Sequence, residues 1–144
     1  MSDYDTDFYA WTQAQAAAIR AGAWDAIDRA HLAEEIEDMG ASQRHAVVSH
    51  LQILLAHLLK WEYQPGRRSD SWLHSMGNAQ IEIETYLEEN PSLRPQLPAF
   101  VARAYPRARR LAMLETGMAQ SFFPPDCPWS PHALLHPDLL TKLT

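Results

Sequence analysis

The residues best suited to chemistry lie in the stretch 31–61, where His31, Glu34, Glu35 and Asp38 are followed by His50 and His57. Carboxylates and imidazoles are the groups from which divalent-metal sites and general acid–base pairs are built. Helical residues three and four apart share a face, so His31 and Glu35 can reach for one ion, with Glu34 and Asp38 on neighbouring turns. A metal site in a helical bundle, however, draws ligands from facing helices, commonly as a Glu-x-x-His pair present on two of them. That repeat does not occur in the sequence. A solvated acidic stretch near a helix N-terminus, favoured by the helix dipole, accounts for the carboxylates more simply. His50 and His57 are two turns apart and stand roughly 10 Å from one another along the axis, so they cannot share an ion without ligands from elsewhere. Each is accounted for as an imidazole at the edge of a core with one nitrogen bonded to a carboxylate or carbonyl. No metal or cofactor is expected on these grounds. Glu34, Glu35, Asp38, His50 and His57 remain the candidates for acid–base catalysis, and His31 with Glu35 the candidates for a metal.

Nucleophilic chemistry has less support. The single cysteine, Cys127, is flanked by Asp126 and Pro128, with no basic neighbour to lower its pKa. There is no Gly-x-Ser-x-Gly elbow, P-loop, Cys-x-x-Cys pair or dinucleotide fingerprint. Basic residues gather at Lys60, Arg67 and Arg68, and again at Arg103, Arg107, Arg109 and Arg110. Interleaved with Trp61, Tyr63, Trp72 and Tyr105, they suit phosphates and stacked bases, with Arg67, Arg68, Arg107 and Arg110 as the candidates. A formal charge of -6 argues against a nucleic-acid surface as the main role.

The elements that must position these residues read as helices. Asp5 or Thr6 can cap a first helix whose Phe8, Trp11, Gln15, Ala18 and Ile19 recur at three- and four-residue spacing, with Ala21-Gly22 as its stop. A turn through Trp24 leads to Asp28, the cap of the longest helix, which runs to about Tyr63 before Gln64-Pro65-Gly66. Along it Leu32, Ile36, Met39, Gln43, Val47, Leu54 and Trp61 form one stripe, bordered by His50 and His57 and widened by Leu51, Leu55 and Leu58. The stripe keeps its phase across Gly40, which favours one continuous helix; the rival reading has Gly40 end one helix and Ser42 start another. If the helix is straight, the acidic group lies about 30 Å from His57, and the two sets form no single site.

A third helix starts at Ser69 or Ser71 and ends at Asn90-Pro91, with Gly77-Asn78 as its weak point. A fourth region carries Phe100, Val101, Ala104, Leu111, Leu114 and Met118, and Pro106 is expected to kink or split it before Gly117 terminates it. The remainder, residues 119–144, is proline-rich and irregular, with one helical turn at 130–135, and is expected to lie over the bundle with Phe122, Phe123, Trp129 and Leu134 inward. No alternating strand pattern persists. The expectation is an all-α single domain over residues 1–144, an up-and-down bundle of about four main helices with a packed tail.

At 144 residues the chain is one domain's length and can bury roughly 70% of its unfolded surface. Its 47% hydrophobic and 21% charged residues suit a real core, and no metal or disulfide is needed to hold it. One cysteine permits no internal disulfide, the acidic start lacks a signal peptide's pattern, and no apolar run reaches the roughly 20 residues that span a bilayer. The expected compartment is the cytoplasm, without a membrane partner.

Glu34-Glu-Ile-Glu-Asp-Met-Gly40, Leu54-Leu-Ala-His-Leu-Leu-Lys-Trp61, Tyr63-Gln-Pro65, Ser92-Leu-Arg94 and Ala104-Tyr-Pro106, with the later Phe123-Pro and Cys127-Pro, together resemble the bacterial domain-of-unknown-function 29 family from about Tyr4 to Leu140. The resemblance implies a compact helical bundle found in bacteria, including cyanobacteria. It implies no reaction and transfers no catalytic role. His31 stands where that family often has a different polar residue.

Three functions follow as expectations. The first is a non-enzymatic module acting through protein contacts, including self-association as a homodimer, with no small-molecule substrate. The second is a metal- or acid–base-dependent enzyme using the second helix, and the third a nucleic-acid-associated module. An exposed subset of Phe8, Trp11, Trp24 and Trp129 would mark a contact surface.

Overall fold

The computed structural model describes residues 3–144; Met1 and Ser2, the start of the segment read above as lacking a leader, lie outside the described residues. The chain is all-α, and no strand occurs among the described residues. Its helices are α1 (Asp3–Thr6), α2 (Phe8–Ala21), α3 (Arg29–Tyr63), α4 (Asp70–Glu89), α5 (Leu97–Thr116), α6 (Pro131–Leu135) and α7 (Leu139–Leu143). The four long ones, α2 to α5, are the four expected from periodicity.

The cap residues explain the boundaries. Asp7, rather than Asp5 or Thr6, caps α2 by accepting the Ala10 amide at 3.0 Å. Gly22 ends that helix at φ 66°, a left-handed conformation that glycine adopts without a Cβ penalty. Asp28 starts α3, its carbonyl accepting the Leu32 amide at 2.9 Å. α3 then runs 35 residues without a break at Gly40. Ser69 caps α4, which passes through Gly77-Asn78 unbroken. α5 contains Pro106 and is not split by it. Pro106 is exposed, while Val101, Ala104, Tyr105 and Ala108 on the other face are buried, and that burial holds the helix together across the missing amide donor.

The chain divides into two compact units, Met1–Ser42 and Gln43–Thr144. In the C-terminal unit, residues 43–63 of α3 run antiparallel to α4: Gln43 meets Asn90, His50 lies beside Tyr86 and Lys60 lies over Trp72. α5 returns parallel to α3, with Arg103 and Arg107 beside His45, Val48 and Ser49, and Glu115 beside Lys60. This up-down-up arrangement encloses Val47, Leu51, Leu54, Leu55, Leu58, Leu59, Met76, Ile83, Leu87 and Ala104, all essentially without solvent contact.

The tail packs on that core. Gln80 donates to the Leu134 carbonyl at 2.8 Å, Tyr105 to that of Pro124 at 2.5 Å and Arg109 to that of Phe123 at 3.0 Å. Leu140 of α7 packs beside Gly77, 3.4 Å from where a Cβ would stand, an ordinary van der Waals separation. Phe123 and Leu134 are buried and Trp129 half-buried, but Phe122 is 61% exposed, against expectation. Phe122 closes a short 3-10 turn, Gln120–Phe122, and it is Phe123, the extended residue after it, whose ring turns inward against Tyr63.

Candidate functional site

The N-terminal unit is organised around Asp28. Its Oδ2 accepts from the Trp11 indole at 3.2 Å and lies 2.7 Å from His31 Nδ1, while its backbone amide donates to Gln15 Oε1 at 2.7 Å. One residue thus ties α2 to the first turn of α3. Trp11 and Gln15, the α2 residues that reach it, are both buried. The hydrogen bond with His31 holds the Asp28 carboxyl below its ordinary value, and the same bond raises the His31 imidazole. Tyr4 stacks on the His31 ring at 3.8 Å and 9°, packs edge-on against Trp11, and donates its hydroxyl to Glu35 Oε1 at 2.6 Å. That bond to a carboxylate pushes the phenol up to about 12. His31 and Glu35, the pair considered for a metal, are therefore brought together through Tyr4 rather than around an empty point. Glu34 and Asp38 are exposed on the same helix.

Beside this polar network lies an apolar groove of about 370 Å³. Phe8, Trp11, Ala16 and Ile19 of α2 form one wall, and Leu32, Ile36 and Met39 of α3 the other, with Glu35 at its edge. Ile36 is 60% and Met39 68% exposed, and Phe8 and Ile19 are exposed as well. The sequence places Ile36 and Met39 in the same stripe as Val47, Leu54 and Trp61, which are buried. An alanine of α2 explains the difference. Of the alanines in that helix only Ala16 lines the groove, and its methyl is too small to cover the α3 stripe as a leucine would, so the floor is laid and no lid follows. These groove residues were not legible as a site from periodicity alone; the missing signal was the lack of bulk opposite them.

The charge of the chain is also concentrated here. Residues 1–42 hold nine acidic and two basic side chains, a formal charge of -7; residues 43–144 hold nine and ten, for +1. The whole acidic excess belongs to the unit with the groove.

A family model for a domain of unknown function, DUF29, matches residues 4–140. The chain belongs to the DUF29 family. No curated protein and no solved structure matches it. The DUF29 match spans the N-terminal groove and the C-terminal core alike, so both are parts of the family domain.

The other candidate residues of this DUF29 chain lie in its C-terminal unit. His57 Nδ1 is 2.7 Å from the Ile53 carbonyl, which can only accept, so Nδ1 carries the proton. Burial holds the His57 imidazole below its ordinary value. His50 is half-buried beside Tyr86. Arg68 donates from Nε to the Trp61 carbonyl at 2.9 Å and lies over the Trp61 ring, while Arg67 is exposed in the following turn. Arg107 and Arg110 lie together on the outer face of α5. Lys60 is buried, paired with Glu115 at 2.6 Å. Cys127 is half-buried, donates to the Trp129 carbonyl at 3.3 Å and has its thiol pushed up by burial. Among the described residues, no three His, Cys, Asp or Glu side chains converge to hold a metal ion, and no helix is long and apolar enough to cross a membrane.

Proposed function

We propose that this DUF29 chain is a non-enzymatic, cytoplasmic protein-interaction module, and that its contact surface is the open groove of the N-terminal unit. One observation carries the reading: a single helical stripe is buried at Val47, Leu51, Leu54 and Leu58 yet open at Ile36 and Met39. Apolar rows left uncovered beside a polar rim are characteristic of surfaces that bind another protein. An amphipathic helix fits such a groove, inserting residues spaced three and four apart. The -7 charge of the unit selects a helix with basic flanks, steering it on approach. The free thiol of Cys127 suits a reducing compartment.

The metal- and acid–base-dependent reading has less support, because His31 is engaged with Asp28, Glu35 with the Tyr4 hydroxyl and His57 with the Ile53 carbonyl. The nucleic-acid reading is weakened at Arg68, whose guanidinium serves the end of α3.

The test is titration with a designed basic amphipathic helical peptide, followed by calorimetry. Saturable binding by the wild type and a loss of at least about tenfold for Ile36→Glu is the expected result, since the peptide's apolar face would have to strip the hydration from a carboxylate on the groove wall. Absence of saturable binding, or equal binding by Ile36→Glu, overturns the proposal.

A further inference from the structure

We propose that the occupant of the groove is the outer face of α5 from a second copy of this chain; the inference rests on the reading of the groove as a docking surface. α5 buries Leu97, Phe100, Val101, Ala104, Tyr105, Ala108 and Ala112. An exposed flank of the helix, on the side of His45, Ser49 and Gln52 of α3, carries Arg103, Arg107, Arg110, Leu111 and Leu114, which fall within one sector of roughly 100°. All five are exposed, and Leu114 is 70% exposed. None of the three arginines makes a hydrogen bond or ion pair among the described residues. Three other basic side chains of the unit are committed: Lys60 to Glu115, Arg94 to Glu84 and Arg109 to the Phe123 carbonyl.

This face is the chemical complement of the groove. Two leucines beside three unpaired arginines meet an apolar floor edged by Glu35, with Asp38 one turn further along α3. Leu111 and Leu114 supply anchors of the size that Ile36, Met39, Phe8 and Ile19 leave uncovered. The division of charge has the same sense, -7 on the unit with the groove against +1 on the unit with the ridge. Two different patches meet, and the contact is made reciprocally in a two-fold dimer or head-to-tail in a larger assembly. It stops at a dimer where two copies satisfy each other and continues to larger closed or open assemblies where they do not.

Light scattering of the full chain, with complementary variants, tests this. The wild type is expected to exceed the 16.4 kDa monomer mass, increasingly so with concentration and less so with added salt. Ile36→Glu removes the groove, and the double variant Arg107→Glu with Arg110→Glu removes the ridge; each alone is expected to run as a monomer. Mixed in equal amounts they retain one good groove and one good ridge, and a heterodimer is expected. Met39→Glu and Leu114→Glu repeat the pair at independent positions, and circular dichroism checks that helix content is kept. A wild type that stays monomeric across micromolar concentrations overturns the inference, as does a ridge variant that associates like the wild type. Salt-sensitive RNA binding by the arginine face of a monomeric wild type overturns it too. If the basic peptide still binds in any of these cases, the groove stands as a docking surface and only the occupant is wrong; if the peptide also fails, both readings fall.

Discussion

Asp28 does three jobs with one side chain and its backbone: it starts α3, holds Trp11 and pairs with His31. The pairing has a defined pH window. The His31 imidazole is raised above its ordinary 6.5, so its stabilising contribution is complete below that pH and is lost as pH rises through the folded value. The Asp28 carboxyl is lowered below 3.8, so its contribution is present above that pH and is lost as pH falls through the folded value. The pair is therefore strongest between about 3.8 and 6.5. A proton NMR titration is expected to give His31 a pKa above 6.5, and Asp28→Asn is expected to bring it down. An unchanged His31 titration in that variant would show that the pair is not formed. Asp28 was legible as a cap because an aspartate precedes a periodic run. Its partners were not, because Trp11 and Tyr4 reach this corner through the turn of the chain, and spacing along a sequence reports contacts only within one helix.

At the scale of the element, α3 shows what periodicity does and does not report. The 3.6-residue repeat identified the apolar face and carried the helix through Gly40, where the structure also has no break. It could not report which stretch of that face a neighbour covers, since coverage depends on the bulk of α2 and α4 opposite. Leu58→Ala is expected to cost about 2–5 kcal/mol in denaturant unfolding, as buried leucines do. Ile36→Ala, on the same stripe, is expected to change stability by no more than about 0.5 kcal/mol. Equal costs at the two positions would show that the groove is closed. Gly40 has space for a Cβ, with nothing within 4 Å, and lies inside a helix. Gly40→Ala is accordingly expected to stabilise by about 0.5–1 kcal/mol. A loss of stability there would mean that α3 uses the freedom of the glycine. Pro106 marks the opposite limit: its local preference predicts a break, and burial of the α5 face overrides it.

Across the whole molecule, the all-α class and the four long helices followed from the sequence, because caps, stops and apolar periodicity agree at nearly every boundary. The site did not, because it consists of what is absent opposite an ordinary apolar stripe. Net charge gave only half of its message: -6 for the chain conceals -7 and +1 for its two units. Association through the groove is thus expected to weaken as salt rises, since exposed charges are screened over roughly 8–10 Å at physiological ionic strength, while the apolar anchors are not. The central claim, that the groove of the N-terminal unit is a docking surface, is tested most directly by NMR mapping of the full chain with the basic amphipathic peptide. The account predicts that the largest shifts fall on the methyl and ring signals of Phe8, Ile19, Ile36 and Met39. Shifts confined to the C-terminal unit, or none at saturating peptide, would contradict it.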